Sequence, residues 1–485
     1  MKKLVKFCKY IFPILILLCL PALHAKAEEA HTLSVNVSIS NGAGSGNILD
    51  GDYNSATKVS AGDSITISSD EAIKGIYIAW NRVPAPWSLE TADGTKDCGQ
   101  NGFLHEYVEL DSASNVAKMN FTSDSSICYI KCYGEGELPR DVQVWEPACE
   151  KADILAFSSH SDDEILFFGG VLTTYAAEYG ADVQVAYMTE FWTTTPIREH
   201  EKLDGIWTCG VTHYPVCGDF PDVYCSNMED ARTKYSEDEL TAFVTKSIRR
   251  FKPQVVITHD FNGEYGHGFH CITAESVKNA LDFACDESYD ADSVSSYGTW
   301  DVPKAYFHLY EENQVKLDLR HPVDAFSGKT SLEVASEAYQ MHKSQLWCDF
   351  KVSDEFNPNE TRTKHSGYDC GLFGLYRTNA GPDTAGNDLM ENLKTYKVQE
   401  EEERVAKEEE ERIKAEEEAR LKAEQEEQKA IEAEEQKKEE EKKSASNIIT
   451  IVLVAVLILV VIGAVAIVVM TSVRRSRRRR HRRKR

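Results

Sequence analysis

Two short stretches of this 485-residue chain set histidine beside carboxylates closely enough for joint chemistry. The first is Ser158-Ser159-His160-Ser161-Asp162-Asp163-Glu164, in which three consecutive acids follow one histidine. An apolar run at 154–157 precedes it, and another, Ile165-Leu166-Phe167-Phe168, follows. Acids held that close to apolar segments are costly to bury unless a cation or hydrogen-bond donors compensate them, and a metal site is the simplest compensation. The second stretch is His259-Asp260-Phe261-Asn262-Gly263-Glu264-Tyr265-Gly266-His267-Gly268-Phe269-His270, after the apolar run 255–258. Neutral imidazoles with one carboxylate make a common three-ligand catalytic zinc set, with the fourth position left to water.

The elements that must position these residues follow from periodicity. Apolar runs of buried-strand type at 154–157, 183–188 and 254–258 are separated by stretches of helical spacing such as 163–179 and 270–283. This pattern predicts an α/β domain over 151–397 with a Rossmann-like parallel sheet. Ligands of such sheets bind at the carboxyl ends of strands, and both histidine stretches stand there.

The two stretches resemble the motifs of the LmbE/PIG-L family of N-acetylglucosaminyl deacetylases, whose first motif runs His-Pro-Asp-Asp-Glu and whose second runs Tyr-Gly-His-Pro-Asp-His. Arg198 with Glu201 resembles the family's Arg-x-x-Glu helix, and His342-Lys343-Ser344-Gln345 its His-x-Ser-Gln segment, so the resemblance covers about 151–390. It implies that His160, Asp163 and His270 bind Zn²⁺ or another divalent metal, and that Asp162 is the general base for the attacking water. It further implies that His267 stabilises or protonates the tetrahedral intermediate, that Tyr265 adds a hydroxyl toward the oxyanion, and that Arg198 and Asp222 contact substrate. Glu164 is left as support. Two positions depart from the family: Ser161 replaces a proline and Gly268-Phe269 replaces Pro-Asp, which predicts looser loops and a missing carboxylate behind the ligands. His259 and Asp260 read as loop support, and His200, His213, His308 and His321 as surface or structural residues.

Ahead of this domain, residues 28–150 read as an all-β sandwich. Leu33, Val35, Val37 and Ile39 alternate with polar residues, and Ile65-Thr66-Ile67 and Ile76-Tyr77-Ile78 follow between turn residues. Ile48-Leu49-Asp50-Gly51-Asp52 resembles the opening of discoidin-type, galactose-binding-like modules, which implies a carbohydrate-binding role; a domain that packs on the enzyme fits equally well. Trp80 and Trp87 suit a sugar face or a core.

The ends set the compartment. Residues 1–27, with Lys2, Lys3, Lys6 and Lys9, an apolar run at 10–20 and Ala25-Lys26-Ala27, read as a secretory signal peptide. Residues 448–470 carry no charge, and at ~1.5 Å per residue they cross a ~30 Å hydrocarbon core as a transmembrane helix. Ten Lys/Arg among residues 474–485 mark a cytoplasmic tail. The segment 398–443 holds 20 acidic and 11 basic residues without Gly or Pro, and seven Glu-to-Lys/Arg pairs at i, i+4 predict one charged helix. Its Val405, Ile413, Leu421 and Ile431 do not repeat by 3 and 4, so a solitary helix fits better than a coiled coil.

Net charge is −25, and segment 28–397 alone carries −31, which argues against nucleic-acid and polyanion partners. Eleven cysteines remain after the signal segment; disulfides suit an exported chain, and the odd number leaves one over. The expected protein is a membrane-tethered, outward-facing zinc hydrolase that removes N-acetyl groups from amino sugars or glycoconjugates. The alternative is a catalytically weak, stalked glycan-binding surface protein.

Overall fold

The computed structural model describes residues 28–348, 350–355 and 367–481; the expected signal peptide and the last four residues of the tail lie outside them. One compact unit runs to Gln399 and a second from Glu400.

The first strands are β1 (Asn36–Ile39), β2 (Thr57–Val59), β3 (Ser64–Trp80), β4 (Trp87–Thr91), β5 (Gly94–Cys98), β6 (His105–Phe121) and β7 (Ser125–Tyr133). They join as one antiparallel sheet in the order β2-β7-β3-β6-β4-β5, with β1 also on β3. Two strands of this set, β3 and β6, are each 17 residues long. The two apolar segments around Ile65 and Ile76 are halves of a single 17-residue strand, β3, whose register against β6 breaks between Ser68 and Gly75. Below the break β3 pairs with β1, and above it with β7, so one strand serves two neighbours along the same edge. At the break Gly75 lets the Tyr107 ring lie over the strand, because a Cβ there would come within 2.0 Å of the Tyr107 hydroxyl and displace it.

Trp80 and Trp87 are buried, and both indole N–H groups donate to Glu106 Oε2, at 3.1 and 3.0 Å. They belong to the core and offer no sugar face. Cys128 and Cys132 stand four residues apart on β7, about 13 Å along a strand and beyond disulfide reach; both are buried thiols, as are Cys209, Cys225 and Cys370. The disulfides expected of an exported chain are absent at these positions, where thiols fill the core as small apolar groups.

The second layer system adds strands β8 (Ile154–Ser158), β9 (Val183–Glu190), β10 (Val216–Pro221), β11 (Val255–Thr258), β12 (Lys304–His308), β13 (Gln314–Lys316), β14 (Lys351–Ser353), β15 (Gly367–Asp369) and β16 (Leu372–Thr378). Its helices are α1 (Asp163–Leu172), α2 (Ile197–Thr208), α3 (Met228–Lys234), α4 (Glu237–Phe251), α5 (Gly268–Phe283), α6 (Ala291–Tyr297) and α7 (Ser331–Tyr339). The main sheet runs β10-β9-β8-β11-β12-β16-β13. Five strands, β10 to β12 in that order, are parallel; β16 then runs antiparallel between β12 and β13, so the expected all-parallel sheet is mixed at one edge.

Alternation along β8 explains the burial of both faces. Ile154 and Ala156 pack with Ile165, Leu166 and Leu203, while Leu155 and Phe157 pack with Val244, Ile248 and Ile272. The chain winds from β8 out to β10 and returns to β11 beside β8, which creates a switch point where neighbouring loops diverge to leave a crevice.

The antiparallel sheet is not a separate bead, because one apolar cluster runs from Ile65 and Trp80 through Trp145 into Ile154 and Val183. Trp145 packs edge-on against Trp207 on α2, at 5.2 Å between ring centroids. Tyr53 stacks on His200 of α2 at 4.3 Å and donates its hydroxyl to Asp204 at 3.0 Å, and His105 Nε2 meets His200 Nδ1 at 2.8 Å.

The last helix, α8 (Tyr396–His481), is unbroken for 86 residues. Three of the seven expected pairs form ion pairs, Glu410–Lys414, Glu434–Lys438 and Glu439–Lys443, whereas Arg404 turns to Glu401 and Glu408. Its apolar part reaches a mean hydropathy of 3.5 over 18 residues, long and apolar enough to cross a membrane.

Candidate metal and active site

The crevice at the switch point is lined by loops that leave consecutive strands. After β8 come His160, Asp162 and Asp163; after β9 comes Arg198 at the start of α2; after β10 come Asp222 and Tyr224; after β11 come Tyr265, His267 and His270. Together with Leu166, Gln345, Cys348 and Phe350, all but His270 line a cleft of about 250 Å³. His270 lies directly behind, fully buried.

The centre is Asp163. Its Oδ2 lies 2.8 Å from His160 Nδ1, 3.0 Å from His270 Nε2, and accepts the His160 backbone N–H at 2.9 Å. Burial would raise this carboxyl, but His270 and His160 beside it hold it well below the usual range. His270 Nε2 is buried without a properly directed hydrogen bond, while its Nδ1 contacts Glu264 Oε2 at 2.7 Å. Burial opposes a proton on His270, yet Asp163 and Glu264 on either side push it up to about 10. An imidazole nitrogen that lacks an aligned partner, next to a carboxylate oxygen and a second imidazole, fits a divalent cation with nitrogen and oxygen ligands. Separations near 3 Å are of the order of those between adjacent ligands of a tetrahedral ion with ~2.0 Å bonds.

Two further histidines stand near enough to be considered as ligands, in the groupings His160/His267/His270 and Asp163/His259/His270. Their hydrogen bonds argue otherwise. His259 Nε2 accepts the Ser159 N–H at 2.9 Å and its Nδ1 faces Glu264, so no lone pair remains. His267 Nδ1 accepts the Phe269 N–H at 3.3 Å as the cap of α5, which leaves the proton on Nε2. Burial, then His270 and His160, lower His267 to about 2, so it is neutral at any working pH.

Asp162 is set apart from its neighbour. Its backbone adopts φ 116°, a strained value for an L residue, and its N–H donates to Glu164 Oε2 at 2.7 Å. Burial raises its carboxyl to about 7 against the pull of Arg198, whose Nη2 donates to Oδ1 at 2.8 Å and also to the Ser161 carbonyl. Arg198 Nη1 reaches Asp222 Oδ2 at 3.4 Å, and the guanidinium lies 4.0 Å over the Phe191 ring. Glu201 does not share the cleft: it is buried and binds Ser344 through N–H and Oγ, at 2.8 and 2.5 Å.

Both departures from the family motif have local explanations. Ser161 is buried, with its hydroxyl on the Arg198 carbonyl at 3.2 Å. Gly268 donates its N–H to Cys225 O at 2.9 Å, a bond no proline makes, and a Cβ there would meet Asn227 O at 1.9 Å. Phe269 stacks on Tyr235 at 4.1 Å. Glu264, which sequence reasoning left without a role, places a buried carboxylate 2.7 Å from His270 Nδ1. His308, read as surface or structural, is buried against Glu264 at 3.0 Å, and His342 is buried 3.1 Å from Glu164. Only the run of buried-strand residues ending at His308 hinted that this histidine is interior.

Comparison with known proteins bears on the same region. Residues 155–281, which include every cleft residue from His160 to His270, match the family described as PIG-L: GlcNAc-PI de-N-acetylase. The chain is 26% identical over 213 residues to 1D-myo-inositol 2-acetamido-2-deoxy-alpha-D-glucopyranoside deacetylase 1 of Catenulispora acidiphila, covering 39% of this chain and 64% of that protein. It is 28% identical over 189 residues to the deacetylase of that substrate name in Rhodococcus jostii, covering 34% of this chain and 63% of the relative. The alignments thus span slightly under two thirds of these curated relatives. The solved N,N'-diacetylchitobiose deacetylase of Pyrococcus horikoshii aligns at 18% identity and a TM-score of 0.32, over 40% of this chain and 71% of that one.

Proposed function

We propose that this chain, whose residues 155–281 are a PIG-L family domain, hydrolyses the N-acetyl group of an amino sugar or of a glycoconjugate that carries one. The observation that carries the reading is the convergence of His160, Asp163 and His270 on one point, with Asp162 held beside it by Arg198. His160, Asp163 and His270 would hold Zn²⁺ or another divalent cation. Such an ion, when bound, polarises the acetyl carbonyl and lowers the pKa of water.

The rest falls to the chain's own groups. Asp162, ionised and fixed by Arg198, accepts a proton from the attacking water as its oxygen bonds to the acetyl carbon. His267, neutral and protonated at Nε2, offers that N–H to the developing oxyanion, and Tyr265 at the cleft wall adds a hydroxyl. The C–N bond then breaks, the proton held by Asp162 passes to the departing amine, and acetate and the free amino sugar result. Arg198 and Asp222 in the cleft lining suit sugar hydroxyls. Arg198 also restrains Asp162, so its removal affects turnover as well as binding.

We propose further that the signal segment and the apolar part of α8 place the enzyme on the outer face of a membrane with its basic tail in the cytoplasm. Trp80 and Trp87 are interior and so supply no face for the glycan-binding alternative. The test is acetate release from N-acetylglucosamine-containing glycoconjugates by zinc-loaded protein, with Asp162→Ala as control. No release above that control would refute the reading.

A further inference from the structure

Glu264 has no part in the roles given above, yet among the described residues no other carboxylate near the cleft meets as many histidines. Its side chain is wholly buried, and its backbone sits at φ 50°, in the left-handed region that favours glycine. The carboxylate contacts Nδ1 of His270 at 2.7 Å, of His308 at 3.0 Å and of His259 at 3.1 Å, and accepts the Asp260 N–H at 3.0 Å. Each contact has a consequence. On His270 it keeps the proton at Nδ1 and leaves Nε2 for the Asp163 side. On His259 it does the same, and that ring's Nε2 then accepts the N–H of Ser159, next to His160. His308 Nε2 donates to the Asp369 carbonyl at 3.0 Å and links the group to β15.

We infer that Glu264 is the positioning residue of the cation site. It sets the ring and tautomer of His270 directly and, through His259, ties the β11–α5 loop to the β8–α1 loop that carries His160 and Asp163. A carboxylate behind a ligating histidine orients the ring and raises its basicity, and its loss usually weakens metal affinity 10–100-fold. Here one carboxylate does this for His270 directly and, through His259, holds the loop that carries the other two ligands. The strained backbone at Glu264 is consistent with a conformation retained for that purpose.

The inference rests on the reading that His160, Asp163 and His270 hold a cation, and the test separates the two. The full chain in detergent micelles is titrated with Co²⁺, followed by visible absorption and by competition with a chelator, for wild type, Glu264→Gln and Glu264→Asp. Expected is a 10–100-fold loss of affinity in both variants, with KM for the acetylated substrate unchanged at saturating metal. Equal affinity in wild type and in either folded variant overturns the inference and leaves the metal reading intact; no binding by wild type overturns both. ¹⁵N spectra of histidine-labelled, zinc-loaded wild type decide the matter if neither variant folds. His270 coordinated through Nε2 with a proton on Nδ1 supports the inference, and coordination through Nδ1 overturns it.

Discussion

Asp162 and Asp163 are adjacent carboxylates with opposite electrostatic fates. Asp163, between two imidazoles, stays ionised far below the ordinary range, while burial raises Asp162 to about 7 despite Arg198. A ligand needs the first behaviour and a general base the second. Asp162→Asn is expected to lower kcat by about 10²–10⁴ while zinc content stays within a few-fold of wild type, as measured by acetate release and elemental analysis. In the proposed site, His270 would supply the pH dependence of metal binding. With no cation its two flanking carboxylates push it up to about 10, so at pH 7 it carries a proton that metal must displace. Zinc affinity should therefore rise with pH through neutrality, with about one proton released per ion, as calorimetry in buffers of different ionisation enthalpy would show. The run of acids was legible in the sequence as a costly feature needing a cation. Which acid does what was not, because the difference comes from the burial of Asp162, which the fold imposes, and from His270, 107 positions beyond Asp163.

At the scale of elements, the start of α5 carries the greatest constraint. His267 caps the helix, Gly268 lies against the Cys225–Asn227 backbone, and His270 follows within the first turn. Gly268→Ala forces a Cβ into the Asn227 carbonyl, so the helix start must shift. The expected cost is about 1–3 kcal/mol in urea unfolding, with a parallel loss of metal affinity. Strands β8, β9 and β11 lie where hydrophobic runs placed them, since buried parallel strands are apolar on both faces. The antiparallel β16 and β13 escaped notice, because β13 has only three residues and the hydrogen-bond partners of both lie far away in sequence. The continuous β3 escaped for a different reason: its polar middle, Ser68 to Glu71, reads as a turn, but a bulge carries the strand through it.

On the scale of the whole molecule, the antiparallel sheet braces the helix that delivers Arg198. Tyr53 stacks on His200 and bonds Asp204, two and six residues along α2 from that arginine. Tyr53→Ala should cost about 2–4 kcal/mol in chemical denaturation and lower kcat/KM through looser placement of Arg198, an effect that Tyr53→Phe largely spares. The apolar part of α8 predicts that the full chain sediments with membranes and is released by detergent, whereas a chain ending at Gln399 remains in the aqueous phase with its acetate release intact. By itself the sequence determined what depends on local pattern and composition: the α/β periodicity, the long charged and apolar helix, and the two histidine stretches at strand ends. Tertiary structure alone decided what depends on distance between remote residues. It brought β8 beside β11 so that two loops form one cleft, gave Asp162 and Asp163 different neighbours, buried the tryptophans that could have faced a sugar, and placed Glu264 among three histidines. Hydrophobic period is written in neighbouring residues, whereas the charge and hydrogen-bond environment of a buried group is set by whichever segments the fold packs against it.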